Sequence, residues 1–492
     1  MGKGVSLSKV EKSTDIKKLI ILIAAFAAMI LIRSLPLPDS IRIAGDAELT
    51  VAGQTALGVL IFALILWMTE AVPFHVTGLL SVILLALFKT DTYKNIVSVG
   101  FGNDIVTFFI GVLVLSAFIT TSGLGKRIGM LILSKTGNNT KSILFGFILT
   151  GTILSMWVTN MAVAAMLMPL AVGILEEEGI KPLKSNFGRA LLIACAWGSI
   201  IGGIGTPSGA GPNPLAIGFI KEMAGIDITF GKWMMFGVPA ALLMVPAAWL
   251  VLIIFFKPEM SHLSKTKQEM QAEYKALPGM SRTEIVTLIL FLLTVVLWLT
   301  SPALGRLLGI SIPISMPVLF TSCLFFIPKV GQTPWKKIEP EISWSGIILI
   351  LSGISLGMML YYTGAAKWLS LVLLSGIGTL PAVVMIFIIV LMISLLKIIF
   401  SSNTVTATII IPIMIELAIS LGLPVLSVAI PASLVASLAF ILVTSSPTNV
   451  IPYSAGYFSI ADFAKSGLLM TLFGSVILTI VIFGIGSMTG LY

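Results

Sequence analysis

Long uncharged apolar runs recur along the whole sequence and most constrain what the chain can fold into. The runs 233–256, 285–299 and 467–484 are typical. A helix of about 20 apolar residues crosses the hydrocarbon core of a membrane. Of all residues, 57% are hydrophobic and 10% are charged, whereas roughly 25% are charged in a soluble domain. The sequence therefore predicts an all-α, polytopic membrane protein without a soluble domain.

The apolar runs predict about eleven transmembrane helices. We place them at about 19–33, 54–71, 74–89, 104–121, 187–218, 232–256, 283–300, 309–327, 344–363, 424–457 and 465–490. Two further apolar stretches, 141–179 and 384–420, are too long for one ordinary helix, and each has a short polar cluster at its middle. We interpret each stretch as a re-entrant helical hairpin.

Basic residues in the short loops predict the orientation of the chain. The N-terminal tail contains Lys3, Lys9, Lys12, Lys17 and Lys18. The loop 257–282 is also basic, and the positive-inside rule places both segments in the cytoplasm if neither hairpin crosses the membrane. The sequence therefore predicts a multi-pass protein of the cytoplasmic (inner) membrane, with its N-terminus inside and its C-terminus outside. These loops explain the net charge of +9, so no nucleic-acid partner is expected.

Three motifs recur at similar spacing and predict an internal repeat. The matched residues are Lys126 and Lys367, Asn160 and Asn403, and Asn213 and Asn449, which are 241 (367 − 126), 243 (403 − 160) and 236 (449 − 213) residues apart. Each copy has an odd number of predicted crossings, so the second copy enters the membrane upside down relative to the first. The sequence thus predicts two inverted-topology repeats.

The repeat divides the chain into four predicted segments. They are an N-terminal tail with the first span at 1–53, a first repeat at 54–256, a cytoplasmic linker at 257–282 and a second repeat at 283–492. The first repeat contains the hairpin 141–179 and a broken helix at 187–218, and the second contains the hairpin 384–420 and a broken helix at 424–457.

Four polar clusters lie at predicted membrane depth, two at hairpin tips (159–160 and 401–404) and two at the centres of broken helices (202–213 and 444–449). A helix that starts inside the membrane attracts an anion with its N-terminal amides, and freed carbonyls can hold a cation. The side-chain amides of Asn160 and Asn403 can donate to carboxylate oxygens. The alternative is that these residues only cap helices and pack closely. Their match across two repeats favours a binding site for an anion with two carboxylates.

At these residues the chain resembles the divalent anion:sodium symporter (DASS) family, and the resemblance covers nearly the whole chain. It rests on Ser402-Asn403-Thr404, its variant Thr159-Asn160-Met161, the broken-helix motifs that end in Asn213 and Asn449, and Trp67-Met68-Thr69-Glu70-Ala71-Val72-Pro73. The resemblance implies secondary active transport of C4/C5 dicarboxylates or citrate. It further implies a homodimer with scaffold helices at the interface, and a transport domain of hairpins and broken helices that moves as an elevator.

The resemblance also implies which residues form the site. Those expected to contact the substrate are Thr159, Asn160, Ser402, Asn403, Thr404, Gly211, Pro212, Ser446, Pro447 and Thr448. Those expected to bind a cation or compensate charge are Ser155, Thr159, Gly209, Ser402, Ser445 and Lys397. Sodium, as a coupling ion near Ser155 and Asn160, is the only cofactor implied. Near Asn403 the residue that usually supplies a hydroxyl is Ile398, which argues against sodium there.

Lys397 lies near the predicted tip of the second hairpin, where a charge is costly unless it faces a cavity or a partner. Two interpretations stay open: its ammonium replaces a sodium ion, or it turns toward Glu416 or a membrane interface. A permanent charge disfavours the crossing of an empty carrier. The sequence therefore favours dicarboxylate exchange, with sodium-coupled symport as the alternative.

A membrane-embedded enzyme or an anion channel is the remote alternative from another class. The predicted intramembrane segments contain no HExxH motif and no cluster of acids with histidine, which argues against the enzyme. Inverted repeats with hairpins from both faces favour a carrier over a channel.

Overall fold

The computed structural model of the protein describes residues 3–264, 267–331 and 333–491. Lys265 of the predicted cytoplasmic linker, and residues 1–2 and 492 at the ends of the predicted segments, lie outside the described residues. The described chain is helical almost throughout, with one small antiparallel ribbon of β1 (Ile43–Ala44) and β2 (Ala47–Glu48). The predicted all-α class is confirmed.

The helices before the linker are α1 (Lys3–Ser34), α2 (Asp39–Arg42), α3 (Val51–Thr69), α4 (Phe74–Leu87), α5 (Tyr93–Phe101), α6 (Asp104–Thr121), α7 (Leu124–Thr136), α8 (Thr140–Ser155), α9 (Asn160–Glu177), α10 (Asn186–Gly203), α11 (Pro212–Ala224) and α12 (Phe230–Phe255). From the linker onward they are α13 (Lys267–Lys275), α14 (Arg282–Leu308), α15 (Ser315–Leu324), α16 (Trp335–Ile338), α17 (Trp344–Tyr362), α18 (Ala365–Leu374), α19 (Ala382–Leu396), α20 (Asn403–Ser420), α21 (Val425–Ala436), α22 (Pro447–Tyr453) and α23 (Ile460–Met488). Short 3-10 turns lie at Glu339–Glu341, Ser375–Thr379 and Val443–Ser445.

Eight of the described helices are long and apolar enough to cross a membrane, judged by length and composition. They are α3, α6, α9, α12, α14, α17, α20 and α23. Shorter apolar helices, including α8, α19 and α21, accompany them. The chain is therefore a multi-pass membrane protein, while the count of eleven crossings and the sidedness of the loops stay predictions.

Side-chain caps determine where two of the long helices begin. Ser281 accepts a hydrogen bond from the backbone N–H of Glu284 at the start of α14, and the Glu284 carboxylate accepts one from the backbone N–H of Ser281. Ser459 and Asp462 form the same reciprocal pair at the start of α23. A cap of this kind stabilises a helix by about 1 kcal/mol because it satisfies N–H groups that the helix itself leaves unpaired.

The two halves of the chain contain the same succession of helices around the predicted repeat motifs. Helices α6 to α12 of the first half correspond, one to one and in the same order, to α17 to α23 of the second half. At the turn between α6 and α7 Gly123 has a φ of +87°, and at the turn between α17 and α18 Gly364 has a φ of +75°. Side chains other than glycine rarely adopt this backbone conformation, which explains the glycine in both copies of the motif.

The two halves interlock through their broken helices. Helix α11 of the first half packs against α20 and α21 of the second, and α22 of the second half packs against α9 and α10 of the first. A second group of helices flanks this body, in which α17 packs against α4 and α5 while α15 packs against α6 and α14. The helix pairs and both broken helices therefore form one packed unit beside a second group of helices.

The structure corrects several details of the sequence analysis. We did not predict α5, α7 and α18, and the predicted span at 309–327 is helical only over α15. We predicted the second break at 444–449, but α21 already ends at Ala436 and α22 begins at Pro447. The segment 437–442 consists mostly of apolar residues that suit a buried helix, so hydropathy alone does not distinguish it from a continuation of α21.

Candidate functional site

The first helix pair, α8 and α9, places a polar side chain at its tip. Asn160 is the first residue of α9 and is 7% exposed. One atom of its side-chain amide lies 2.8 Å from Oγ of Ser155, 3.0 Å from the carbonyl oxygen of Gly209 and 3.3 Å from that of Ser199. As a nitrogen this atom donates to the two carbonyls, whereas as an oxygen it lies among three other oxygens. Oxygen atoms are the ligands that hard cations prefer.

Glycines allow the first broken helix to approach this tip. A Cβ on Gly203 would lie 2.9 Å from Cγ of Asn160, and a Cβ on Gly202 would lie 2.8 Å from Cβ of Ser155. A Cβ on Gly209 would lie 2.8 Å from the carbonyl oxygen of Ser155. These separations are shorter than packed carbon atoms tolerate. The glycine-rich stretch between α10 and α11 is therefore required for the backbone carbonyls to surround Asn160.

Two buried asparagines hold the two helix breaks in the same way. Nδ2 of Asn213 donates to the carbonyl oxygens of Gly203 and Thr206, both at 2.7 Å, over sequence separations of 10 and 7 residues. Nδ2 of Asn449 donates to those of Ala439 at 2.8 Å and Leu442 at 3.2 Å, over the same separations of 10 and 7. Each asparagine thus satisfies carbonyls that the interrupted helix leaves unpaired.

The second tip and the two breaks meet. Oγ of Ser437, just after α21, donates to Oδ1 of Asn213 at 3.3 Å. The carbonyl oxygen of Ser437 accepts a hydrogen bond from Nδ2 of Asn403 at 3.0 Å. A Cβ on Gly211 would lie 2.9 Å from Oγ1 of Thr404, so the start of α20 touches the start of α11. Because Asn160 contacts the first break through Gly209, both tips and both breaks belong to one contiguous site.

Lys397 lies at the second tip and is 2% exposed. Its Nζ donates to the carbonyl oxygen of Ala436 at 2.8 Å and to Oδ1 of Asn403. Its own carbonyl oxygen accepts a hydrogen bond from Oγ of Ser445 at 2.9 Å. Glu416, the partner considered from the sequence, is not among its hydrogen-bond partners. The side-chain nitrogen is therefore directed into the tip, and its role in place of a sodium ion stays a prediction.

Several other predicted residues act as helix caps in the structure. Ser402 accepts a hydrogen bond from the backbone N–H of Val405 at 3.5 Å at the start of α20. Ser446 accepts one from the backbone N–H of Thr448 at 3.3 Å at the start of α22. Pro212 and Thr448 are buried, whereas Pro447 is exposed and Thr159 is half-buried. All of these residues lie within or beside the tips and breaks, and their contact with a ligand stays a prediction.

The sequence alone does not reveal several backbone groups that contact Asn160, Lys397 and Asn403 at the two tips. These are the carbonyl oxygens of Ser199, Ala436 and Ser437. A backbone carbonyl is present at every residue, so residue type does not mark it. Ser199 and Ser437 do have a recognisable signal, because each is a polar residue inside an apolar run.

A membrane protein built from two interlocked halves, each with a broken helix and a polar helix tip at the shared site, belongs to the class of secondary transporters. The family is shown by comparison with known proteins. Residues 14–491 match the family model described as the sodium:sulfate symporter transmembrane region. The chain belongs to this family, which is the divalent anion:sodium symporter family that its motifs resemble, and it is a transport protein rather than an enzyme.

Two relatives are named sodium-dependent dicarboxylate transporters. The SdcS protein of Staphylococcus saprophyticus is 29% identical over 496 residues, which cover 97% of this chain and 93% of the relative. SdcS of Staphylococcus aureus strain USA300 is 28% identical over 452 residues, which cover 89% of this chain and 86% of the relative. This chain and its relatives therefore match over almost their full lengths.

Two solved structures share the fold at low sequence identity. The YdaH transporter of Alcanivorax borkumensis has a TM-score of 0.55 and 18% identity, over 80% of this chain and 89% of that chain. MtrF of Neisseria gonorrhoeae has a TM-score of 0.54 and 12% identity, over 95% of this chain and 94% of that chain. These similarities concern the fold alone.

Proposed function

We propose that the chain carries C4/C5 dicarboxylates across the cytoplasmic membrane together with sodium. The single observation that carries this proposal is the meeting of two asparagine-tipped helix pairs with two helix breaks. Nδ2 of Asn403 donates to the carbonyl oxygen of Ser437, and an amide NH₂ group has two N–H donors, so Asn403 keeps one N–H for a carboxylate of the substrate. When Asn160 turns its side-chain oxygen toward Ser155, Ser199 and Gly209, as a cation there requires, both of its N–H groups are left for the other carboxylate.

Further substrate contacts follow from the helix starts at the site. Thr159, Ser402 and Thr404 lie at the first turns of α9 and α20, where unpaired N–H groups attract an anion. The remaining proposed contacts come from the breaks and are Gly211, Pro212, Ser446, Pro447 and Thr448. The approach of Thr404 to Gly211 supports a substrate that spans between the two halves.

The first tip supports a sodium site. Oγ of Ser155 and the carbonyl oxygens of Gly209 and Ser199 lie 2.8, 3.0 and 3.3 Å from the same side-chain atom of Asn160, and oxygen ligands of this kind suit a hard cation. Unwound carbonyls of broken helices coordinate sodium in secondary transporters. The full-length relatives are named sodium-dependent dicarboxylate transporters, which supports sodium as the coupling ion here and favours symport over exchange. Thr159 lies close enough in the chain to complete this site.

The architecture supports alternating access by movement of one body. The helix pairs and broken helices pack as a unit across the two halves, whereas α3–α6 and α14–α17 form the flanking layer. We propose that the unit moves as an elevator against this layer in a homodimer. The two halves are inserted with opposite orientation, so the first helix pair enters from the cytoplasm, where the N-terminus lies, and the second enters from outside, where the C-terminus lies.

Exchange of dicarboxylates is the second candidate, and Lys397 favours it. An ammonium that remains in the transport domain lacks a counter-anion when the carrier is empty, and moving an unbalanced charge through a membrane is costly. Return of the empty carrier is then slow compared with return of the loaded one. In that case, transport is fast only when dicarboxylate is present on both sides.

Reconstituted vesicles distinguish the two functions. With a sodium gradient and empty vesicles, we expect accumulation of radiolabelled succinate, and we expect no accumulation when choline replaces sodium. Uptake that requires internal succinate and is unaffected by the removal of sodium would establish exchange instead. The proposed substrate class would be contradicted if succinate entered neither empty vesicles under a sodium gradient nor vesicles loaded with succinate, and if the protein also bound no other dicarboxylate.

A further inference from the structure

A buried carboxyl group lies on α20, away from the tip that carries Asn403. Glu416 follows that tip residue by 13 positions (416 − 403) and is 7% exposed. Its Oε2 is buried and has no hydrogen-bond partner, and within the part of the chain that the structure describes no lysine or arginine forms a salt bridge with it. An unpaired carboxylate is costly to bury, especially in a membrane-spanning helix. The position therefore favours the neutral, protonated acid.

The contacts of α20 with α17 show where along these helices Glu416 lies. A Cβ on Gly353 would lie 2.6 Å from Oγ1 of Thr408. A Cβ on Gly357, one turn later, would lie 3.1 Å from Cγ of Pro412. Both contacts join residues that are 55 positions apart (408 − 353 and 412 − 357), so the two helices run side by side in the same direction. The same offset places Glu416 level with the last turn of α17.

The last turn of α17 ends at an exposed surface of the protein. Tyr362, the final residue of α17, is exposed, and so is Asp46 in the turn between β1 and β2. Lys367 near the start of α18 is half-buried. The charges of Asp46 and Lys367 are close enough to act on Glu416. The carboxyl group therefore lies close beneath this surface, and a proton from the solvent has a short path to it.

The elements packed against α20 contain few titratable groups. They are α11, α17, α18 and α21, of which α21 has no titratable side chain. The groups on the other three helices are Lys221 and Glu222 of α11, Tyr361 and Tyr362 of α17, and Lys367 of α18. The two groups of α11 are engaged elsewhere, in an ion pair with Asp104 and a hydrogen bond from Asn103. Lys367 is thus left as the cation that an ionised Glu416 attracts.

Lys367 lies between carboxyl groups of two different parts of the molecule. Its Nζ bonds to Oδ2 of Asp46 at 2.7 Å. Helix α18 packs against the β1–β2 ribbon and α3, and also against α20 of the second helix pair. Ionisation of Glu416 would add a second carboxylate near the same ammonium. Because this carboxylate is buried, its attraction to the ammonium is stronger than that between two charges in water.

We propose that Glu416 is a proton-binding site that controls the movement of the helix-pair unit. When Glu416 is protonated, α20 is free to move past α18. When the proton leaves for the solvent, the Glu416 carboxylate pairs with Lys367, which leaves Asp46, and the new ion pair holds α20 in place. The proton stays bound while the unit moves in both directions, so pH changes the rate of transport and leaves the equilibrium accumulation of substrate unchanged. The control of movement rests on the proposed elevator function.

Infrared difference spectroscopy of the purified protein tests the proton site without any transport. A protonated carboxyl group has a C=O band that a carboxylate lacks, and exposed carboxyl groups stay ionised between mildly acidic and alkaline pH. We expect the difference spectrum over this range to contain a carboxylic-acid band that Glu416→Gln removes. Glu341→Gln is the matched control, because Glu341 is exposed, and it should keep the band.

Two spectroscopic results overturn the inference. One is a spectrum of Glu416→Gln that equals that of the unmodified protein. The other is the absence of a carboxylic-acid band in the unmodified protein, which decides the question even if the variant fails to fold.

Succinate uptake into vesicles over the same pH range tests the control of movement. The rate of the unmodified protein is divided by that of Glu416→Gln at each pH, which cancels the titration of succinate itself. We expect this ratio to be constant in the mildly acidic range and to fall about tenfold per pH unit above the titration midpoint of Glu416, because the protonated fraction falls by that factor. Glu341→Gln should keep the pH profile of the unmodified protein.

A ratio that is constant over the whole pH range, with Glu416→Gln active, overturns the control of movement. An equilibrium accumulation that follows an imposed pH gradient also overturns it, because the proton would then cross with the substrate. Absence of succinate uptake in the unmodified protein at every pH is a different outcome. It contradicts the proposed function, whereas the infrared spectrum still decides whether Glu416 binds a proton.

Discussion

At the scale of single residues, four asparagines organise the site, and they do so in two roles. Asn213 and Asn449 each donate to carbonyl oxygens of their own broken helix, and Asn213 also accepts a hydrogen bond from Ser437 of the other half. Asn160 and Asn403 instead lie at the helix tips that face the shared site. We therefore expect Asn213 and Asn449 to determine the stability of the helix breaks. We expect Asn160 and Asn403 to determine ligand binding.

Replacing Asn213 by Ala tests the structural role. The change leaves the buried carbonyl oxygens of Gly203 and Thr206 without their donor, which costs roughly 1–3 kcal/mol for each unsatisfied group. We expect a clear fall in the unfolding temperature of the purified protein in detergent. Asn95→Ala is the control, because Asn95 is exposed on α5 and should leave the unfolding temperature nearly unchanged. Equal stability of both variants would contradict the role assigned to Asn213.

At the scale of elements, close approach of α10 to the first tip determines the geometry of the proposed sodium site. Gly203→Ala would bring a Cβ within 2.9 Å of Cγ of Asn160. We expect this variant to need a much higher sodium concentration for half-maximal succinate uptake, because the oxygens around Asn160 are displaced. Gly173→Ala in α9 is the control, since a Cβ there meets nothing within 4 Å. A normal sodium requirement in Gly203→Ala would argue against this site.

Helices α7 and α18, which follow Gly123 and Gly364, are each held to another segment of the chain by an ion pair, and the two ion pairs differ in burial. Arg127 of α7 pairs with Glu284 of α14 at 2.7 Å, and the side chains are 17% and 8% exposed. Lys367 of α18 pairs with Asp46 at 2.7 Å, where the aspartate is 74% exposed. Water screens the second pair, whereas loss of the arginine leaves a buried carboxylate unpaired.

Arg127→Ala should therefore lower the unfolding temperature more than Lys367→Ala does. The hydrogen bond from Lys367 lowers the pKa of Asp46. The Lys367–Asp46 pair therefore stabilises the fold at pH values above the usual carboxyl pKa, and this stabilisation is lost as the pH falls through the lowered pKa. Thermal unfolding of both variants at neutral pH provides the measurement. A larger fall in unfolding temperature for Lys367→Ala than for Arg127→Ala would show that burial does not determine how much each ion pair stabilises the fold.

At the scale of the whole molecule, hydropathy and motif spacing predicted the class, the repeat motifs and the polar clusters. Helix pairs lie at both predicted hairpins, over α8–α9 and α19–α20. The spacing of the matched motifs also agrees with the equal hydrogen-bond separations around Asn213 and Asn449. These features are encoded by residue type and position, which a sequence displays directly.

Other features of the fold and site depend on tertiary packing and were not predictable. The irregular segment after Ala436 is as apolar as a helix, so only its carbonyl bonds to Asn449 and Asn403 reveal the break. The direction of the Lys397 ammonium is set by Ala436 and Asn403, which approach from different helices. Carbonyl ligands have no signature in residue type, so the partners of the tips remained hidden.

Equilibrium binding of succinate to the purified protein, with sodium and with choline in its place, tests the central claim most directly. The claim is that Asn160 and Asn403 hold one dicarboxylate between the two halves. We predict saturable binding that sodium strengthens, and loss of that binding in both Asn160→Ala and Asn403→Ala at unchanged unfolding temperature. Binding in either folded variant that equals that of the unmodified protein would contradict the account.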